Sequence, residues 1–222
     1  LGSEVLDLGE AKDLPLLQRR TELLTKLEFP LNQEESFQSF DHFRDLATDM
    51  LISGKVRDAY DLEKEPAKLR EAYGDHIGGQ SLLLARRLIE AGVPIAQVIC
   101  SAGDLNGGNG DMWDTHRDNF NRLKRDLLPV WDQGCNALLN DLEGRGMLEE
   151  TLVVFLTEFG RTPKINPKAG RDHWPRVSTA VLAGGGMNHG QVIGETNRLG
   201  EYAVDRPVNF QEVAATLYNQ IG

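Results

Sequence analysis

The run TLVVFL at Thr151–Leu156, followed by Glu158, Gly160 and Arg161, constrains the fold of this chain more than any other stretch. It is rich in β-branched residues, shows no polar alternation and stops abruptly at an acid. A continuous apolar run of this length reads as a central strand covered on both faces. Val93–Cys100 and Val177–Leu182 read as companion strands, and Gln191–Gly194 as a short edge strand. Acids and histidines follow two of these runs: Asp111, Asp114 and His116 after the first, Glu158, Asp172 and His173 after the central one. Together these features predict an α/β sheet with a site at its carboxyl edge.

The rest of the chain supplies helices. Leu16, Leu17, Leu23, Leu24 and Leu27 form one apolar stripe, and Phe37, Phe40, Phe43, Leu46 and Met50 form another, so residues 1–60 read as a helical N-terminal segment. Further helices are expected at Ala67–Tyr73, Gln80–Glu90 and His116–Leu142, the last kinked or broken at Pro129. Asn209 and Glu212 form a capping box for a final helix, Asn209–Gln220. Ser101–Gly110, SAGDLNGGNG, is a loop with neither the GxGxxG spacing nor the Lys-Ser/Thr end of a phosphate-binding loop. A length of 222 residues suits one substantial core, and residues 1–222 are read as a single domain.

A net charge of −10 argues against nucleic acid and anionic membrane, which select clustered Lys and Arg. No apolar run reaches the ~18 residues of a membrane span. Cys100 and Cys135 read as free, buried thiols rather than a disulfide framework.

Asp114 and His116 flank Thr115 in a loop, where alternate residues can converge on one ion. Asp172 and His173 repeat the same pair of ligand types after the neighbouring strand. A shared divalent metal would use oxygen from the acids and nitrogen from neutral histidines, and His189 is an accessory candidate. Alternatively, Asp114 simply caps a helix. Glu158 has three readings: metal ligand, general base, or ion-pair partner of Arg161. Arg161 in turn either pairs with Glu158 or clamps a tetrahedral oxyanion through its fork. Trp113 and Trp174 either wall a pocket or pack loops. No serine or threonine carries a motif that marks a nucleophile.

WDTH at Trp113–His116, LLNDLEGRGMLEETLVVFLTEFGRTPKI at Leu138–Ile165, GRDHWP at Gly170–Pro175 and LAGGGM at Leu182–Met187 together resemble the DUF1501 family, over roughly residues 62–221. That family is similar in fold to the alkaline phosphatase and sulfatase superfamily. The resemblance therefore implies a mainly parallel sheet flanked by helices, incomplete at the N-terminus, with this chain a C-terminal portion. It implies metal ligands at Asp114, His116, Glu158 and His173 and catalytic parts for Glu158, Arg161 and Asp172. Phe159 stands where the superfamily motif has a histidine. The implied cofactor is a divalent metal, Zn, Mn or Ca. The implied activity is hydrolysis of a phosphate or sulfate ester, on a small anionic ester or a sulfated or phosphorylated glycan. The alternatives are a non-catalytic carbohydrate- or protein-binding relative that keeps the scaffold, and an acid/base lyase or isomerase on the same residues. Family members are commonly exported, which implies a periplasmic or extracellular location.

Overall fold

In the computed structural model, residues 54–100 and 113–221 are described, with a few helical residues between 15 and 48. The rest of residues 1–53, on which the N-terminal helical expectation falls, and the Ser101–Gly110 loop with Asp111 lie outside the described residues. The described elements run in order through α1 (Lys55–Ala59), a 3-10 turn (Leu62–Lys64), α2 (Ala67–Tyr73) and α3 (Ile77–Glu90). There follow α4 (Asn119–Arg122), a π-helical turn (Leu123–Leu127), α5 (Leu128–Gly144) and β1 (Leu152–Phe155). After these come β2 (Gly160–Arg161), β3 (His173–Trp174), β4 (Val181–Gly184), β5 (Glu195–Thr196), β6 (Ala203–Asp205) and α6 (Phe210–Ile221). The chain divides into two compact units, Leu1–Arg70 with Leu83–Val98, and Glu71–Leu82 with Ile99–Gly222.

In the first unit a buried charge cluster sits where apolar side chains would be ordinary. Arg86 is 1% exposed and its guanidinium lies 2.8 Å from Glu65, itself 8% exposed. Arg87 reaches the same carboxylate oxygen and also donates to the carbonyls of Ala59 and Asp58. Full burial of an arginine requires such partners, because an uncompensated charge away from water costs several kcal/mol.

The second unit is built on α5. Its residues Gly134, Cys135, Leu138 and Leu142 are buried, at the i, i+4 spacing that aligns one face of a helix. The helix meets β1 through Trp131, whose ring stands edge-on to Phe155 with centroids 5.6 Å apart, and meets the end of α2 through the hydroxyl of Tyr73, which donates to Asp141. Pro129, without an N–H, cannot continue the α-helical ladder, and the helical path accommodates it with the π turn immediately before α5. Both cysteines are free. A hydrogen bond between the two thiols holds Cys100 below the usual thiol range and pushes Cys135 up.

The expected α/β fold with a mainly parallel, alkaline-phosphatase-like sheet is not formed among the described residues. Helix takes 46% and strand 10% of the described structure, and the three sheets are two-stranded and antiparallel: β1 with β4, β2 with β3, β5 with β6. The reason lies between β1 and β4. A parallel return needs a crossover, usually a helix, whereas this connection holds only the β2–β3 hairpin and loops. Val181 therefore meets Phe155 antiparallel. The strand residues are half-buried or exposed, apart from Gly184, rather than enclosed, which a doubly covered parallel sheet forbids. Val93–Cys100 forms no strand: Ala96–Cys100 keeps alternating cover but has no ladder partner among the described residues. The edge strand expected at Gln191–Gly194 begins at Glu195 instead. The alkaline phosphatase, sulfatase and hydrolase descriptions drawn from that scaffold fall with it.

The capping box of α6 forms as read. The Glu212 N–H donates to Asn209 Oδ1, and the Asn209 N–H donates to the Glu212 carboxylate, each at 3.0 Å. That backbone bond, with Arg206, holds the Glu212 carboxyl below its usual range. N209A is expected to lower stability by about 1 kcal/mol in urea unfolding, by loss of the Oδ1 acceptor. The separate contribution of the Glu212 carboxylate, whose backbone partner alanine keeps, should be present above the ordinary glutamate range and be lost as pH falls through its lowered folded value.

Candidate metal centre

Asp114 and His116 share a surface because Thr115 between them points inward. Thr115 is 1% exposed, its hydroxyl donates to Asn119 Oδ1 at 2.5 Å, and its carbonyl accepts the Arg171 N–H. In an extended segment alternate side chains face opposite ways, so a buried Thr115 turns its two neighbours outward. His173 arrives from the β2–β3 hairpin, in which it is paired directly with Arg161. Gly160 in that hairpin has to be glycine: a Cβ there would lie 2.0 Å from the Val177 carbonyl.

The loop between the two strands closes on the Asp114 segment. The N–H groups of Asp118 and Asn119 donate to Lys168 and Ala169. Gly170 passes so close to His116 that a Cβ would fall 2.0 Å from its carbonyl oxygen. No side chain larger than glycine fits between these backbones without a shift.

The result is a triangle of donor atoms. His116 Nε2 and His173 Nε2 are 3.1 Å apart, and each is 3.1 Å from Asp114 Oδ1. Ligands of a divalent ion at about 2.0–2.1 Å, set at octahedral to tetrahedral angles, lie about 2.9–3.4 Å from one another. The three atoms therefore have the spacing of a metal face, and these are the residues among those described that could hold an ion. All three side chains are roughly half exposed, which leaves the outer side open to water or a ligand.

The surrounding groups fix the donors in usable states. His116 Nδ1 is 2.7 Å from Asp172 Oδ1. A carboxylate only accepts, so the proton sits on Nδ1 and the Nε2 lone pair faces the triangle. Hydrogen bonds from His116 and Asn166 hold the Asp172 carboxyl below its usual range. Burial alone would raise Asp114, but hydrogen bonds from Arg161 and His173 outweigh it and keep that carboxyl low. Both acids are thus ionised at neutral pH, as metal ligation and its outer shell require.

The structure distributes the sequence candidates unevenly. Asp114, His116 and His173 converge. Asp172 stands behind His116, one step outside the triangle. Arg161 lies 2.7 Å from Asp114 Oδ1 and also donates to the carbonyls of Trp113 and Arg171, so its partner here is Asp114 rather than Glu158. Glu158 is exposed beyond β1 and is not part of the metal-binding group. His189 accepts the Gly184 N–H, a loop-closing contact. Both tryptophans tie loops down, Trp113 through the Cys100 carbonyl and Trp174 through that of Glu201.

Two roles escaped the sequence reading. Phe159 stacks on His173 with ring centroids 4.2 Å apart, so it supports the ligand ring it cannot itself replace. Asn166 contacts both ligand-bearing segments; its only sequence signal is an Asn-Pro in a turn-forming stretch.

A family model, Protein of unknown function (DUF1501), matches residues 2–222. No curated protein and no solved structure matches the chain, and nothing in these comparisons ties it to the alkaline phosphatase and sulfatase superfamily.

Proposed function

We propose that this chain, which belongs to the DUF1501 family, holds a divalent metal at Asp114, His116 and His173 and uses it to bind a small anionic ligand. The mutual 3.1 Å spacing of the three donor atoms carries the reading. Two imidazole nitrogens with one carboxylate oxygen favour zinc or manganese over calcium, which takes oxygen ligands. Three protein ligands and an open outer side leave positions for an exogenous donor.

The local charge favours an anion. Residues 161–176 carry Arg161, Lys164, Lys168, Arg171 and Arg176 against Asp172 alone, in a chain whose net charge is −10. Lys164, Lys168 and Arg176 are exposed, so a small phosphate- or sulfate-bearing ligand would meet a positive field at the site in spite of the acidic whole. Arg161 holds the Asp114 carboxylate in place. Ester hydrolysis of the alkaline phosphatase kind is not part of this proposal, since its sheet is not formed among the described residues and Glu158 stands outside the metal-binding group. The reading is closer to a binding relative that keeps one metal. No helix of the described residues is long and apolar enough to cross a membrane.

Isothermal titration of the metal-stripped chain with Zn²⁺, then of the loaded and stripped forms with inorganic phosphate or sulfate, tests it. One tight zinc site and anion binding confined to the loaded form are expected. Equal anion binding by both forms would remove the metal from the function, and no zinc binding would remove the centre itself.

A further inference from the structure

We propose that Asn166 is a positioning residue for this centre: it sets the imidazole of His116 by holding both ends of its support. The inference rests on the metal reading above and assigns a part to a residue outside the ligand set. The Asn166 side-chain amide donates to the His116 backbone carbonyl at 3.0 Å and to Asp172 Oδ1 at 3.1 Å. Asp172 Oδ1 is the same oxygen that accepts the His116 Nδ1 proton at 2.7 Å. One amide group therefore fixes where the His116 backbone stands and where the carboxylate behind its ring stands. With those two points set, Nε2 has one direction left, toward Asp114 and His173.

The other end of the amide is anchored as firmly. Asn166 Oδ1 accepts the N–H groups of Lys168 and Gly170, both at 2.9 Å, and its backbone exchanges further bonds with Gly170 and Ala169. All four contacts of the side chain are committed, so the group cannot rotate without losing several at once. Outer-shell partners of metal-bound histidines orient the ring and raise its basicity. In this chain the outer shell has two layers, Asp172 on the ring and Asn166 on Asp172.

The two ends of the amide can be separated experimentally. N166D keeps an oxygen for the Lys168 and Gly170 N–H groups but loses both donors and sets a carboxylate against Asp172. N166A loses both functions. Wild type, N166D and N166A would be titrated as full chains with Co²⁺, recording affinity, the visible d–d spectrum and the thermal midpoint without metal. N166D is expected to lower the midpoint only by what the two lost donors and the facing Asp172 carboxylate cost, while its Co²⁺ affinity falls about 10–100-fold and its spectrum changes intensity. N166A should lose affinity to a similar degree and also melt lower. A midpoint loss in N166A with wild-type affinity and spectrum in both variants would reduce Asn166 to a loop-closing residue and overturn the assignment. Tighter Co²⁺ binding by N166D would overturn it as well, since simple charge would then outweigh orientation. Failure of the wild-type chain to bind Co²⁺ would overturn the metal reading and this inference together.

Discussion

Zinc is expected to bind the H116A variant more than about 100-fold more weakly than the wild-type chain, beyond the 10–100-fold that losing an outer-shell partner costs. His116 supplies one of three donor atoms and is the one held from behind, by Asp172 at 2.7 Å. Without it, Asp114 and His173 remain as two donors 3.1 Å apart, and Arg161 at 2.7 Å competes for the Asp114 oxygen. D172A should weaken zinc by less, within about 10–100-fold, because the His116 ring stays but loses the group that fixes its tautomer. Calorimetry on the three proteins gives the ranking. Comparable losses in both variants, or a larger loss in D172A, would mean that Asp172 is a ligand and that the triangle has been assigned to the wrong atoms.

The candidate donors of this site were legible in the sequence and their geometry was not. Residue type reveals donors: two acid–histidine pairs beyond apolar runs offer oxygen and nitrogen ligands for a metal whatever fold delivers them. Which member of each pair points inward depends on neighbours far along the chain. Asp172 turns to His116 rather than joining the triangle because Thr162 and Asn166 hold its backbone and side chain. Arg161 and His173 lie side by side through a two-residue ladder, too short for any periodicity to show.

The fold followed the same division. The α6 capping box was readable because its donors and acceptors lie within four residues. Thr151–Leu156 was readable as a strand, but an apolar run carries no information on its partner or direction. Parallel pairing was implied by the family resemblance, and cover on both faces was read from the apolar run, whereas the residues of β1 are only half-covered. Pro129 announced an irregularity, and it takes the form of a π turn just before α5 rather than a break.

E65A is expected to destabilise the chain by about 3–5 kcal/mol, the range for breaking a buried ion pair from one side. Glu65 Oε1 accepts from Arg87 and lies 2.8 Å from the Arg86 guanidinium, and the Arg86 side chain is fully shielded from solvent. Removing the carboxylate strips that buried guanidinium of a close charged partner, and Glu90, which also pairs with it, has a side chain 45% exposed and so shares its charge with water. Arg87 is less dependent, since the carbonyls of Ala59 and Asp58 hold its other nitrogens. E65Q, which keeps an acceptor but no charge, should lie between E65A and wild type. The loss measures the cost of a buried charge stripped of its close counter-ion rather than the worth of the bridge, so replacing both partners together should recover most of it: E65L with R86M fills the same space with apolar groups. Urea unfolding followed by circular dichroism would compare the four proteins. A loss below about 1 kcal/mol in E65A is the behaviour of a solvent-screened surface pair, and would show that water reaches Arg86 in solution. If instead the double variant is as unstable as E65A, the cost comes from lost packing around Glu65 and not from the charge left behind.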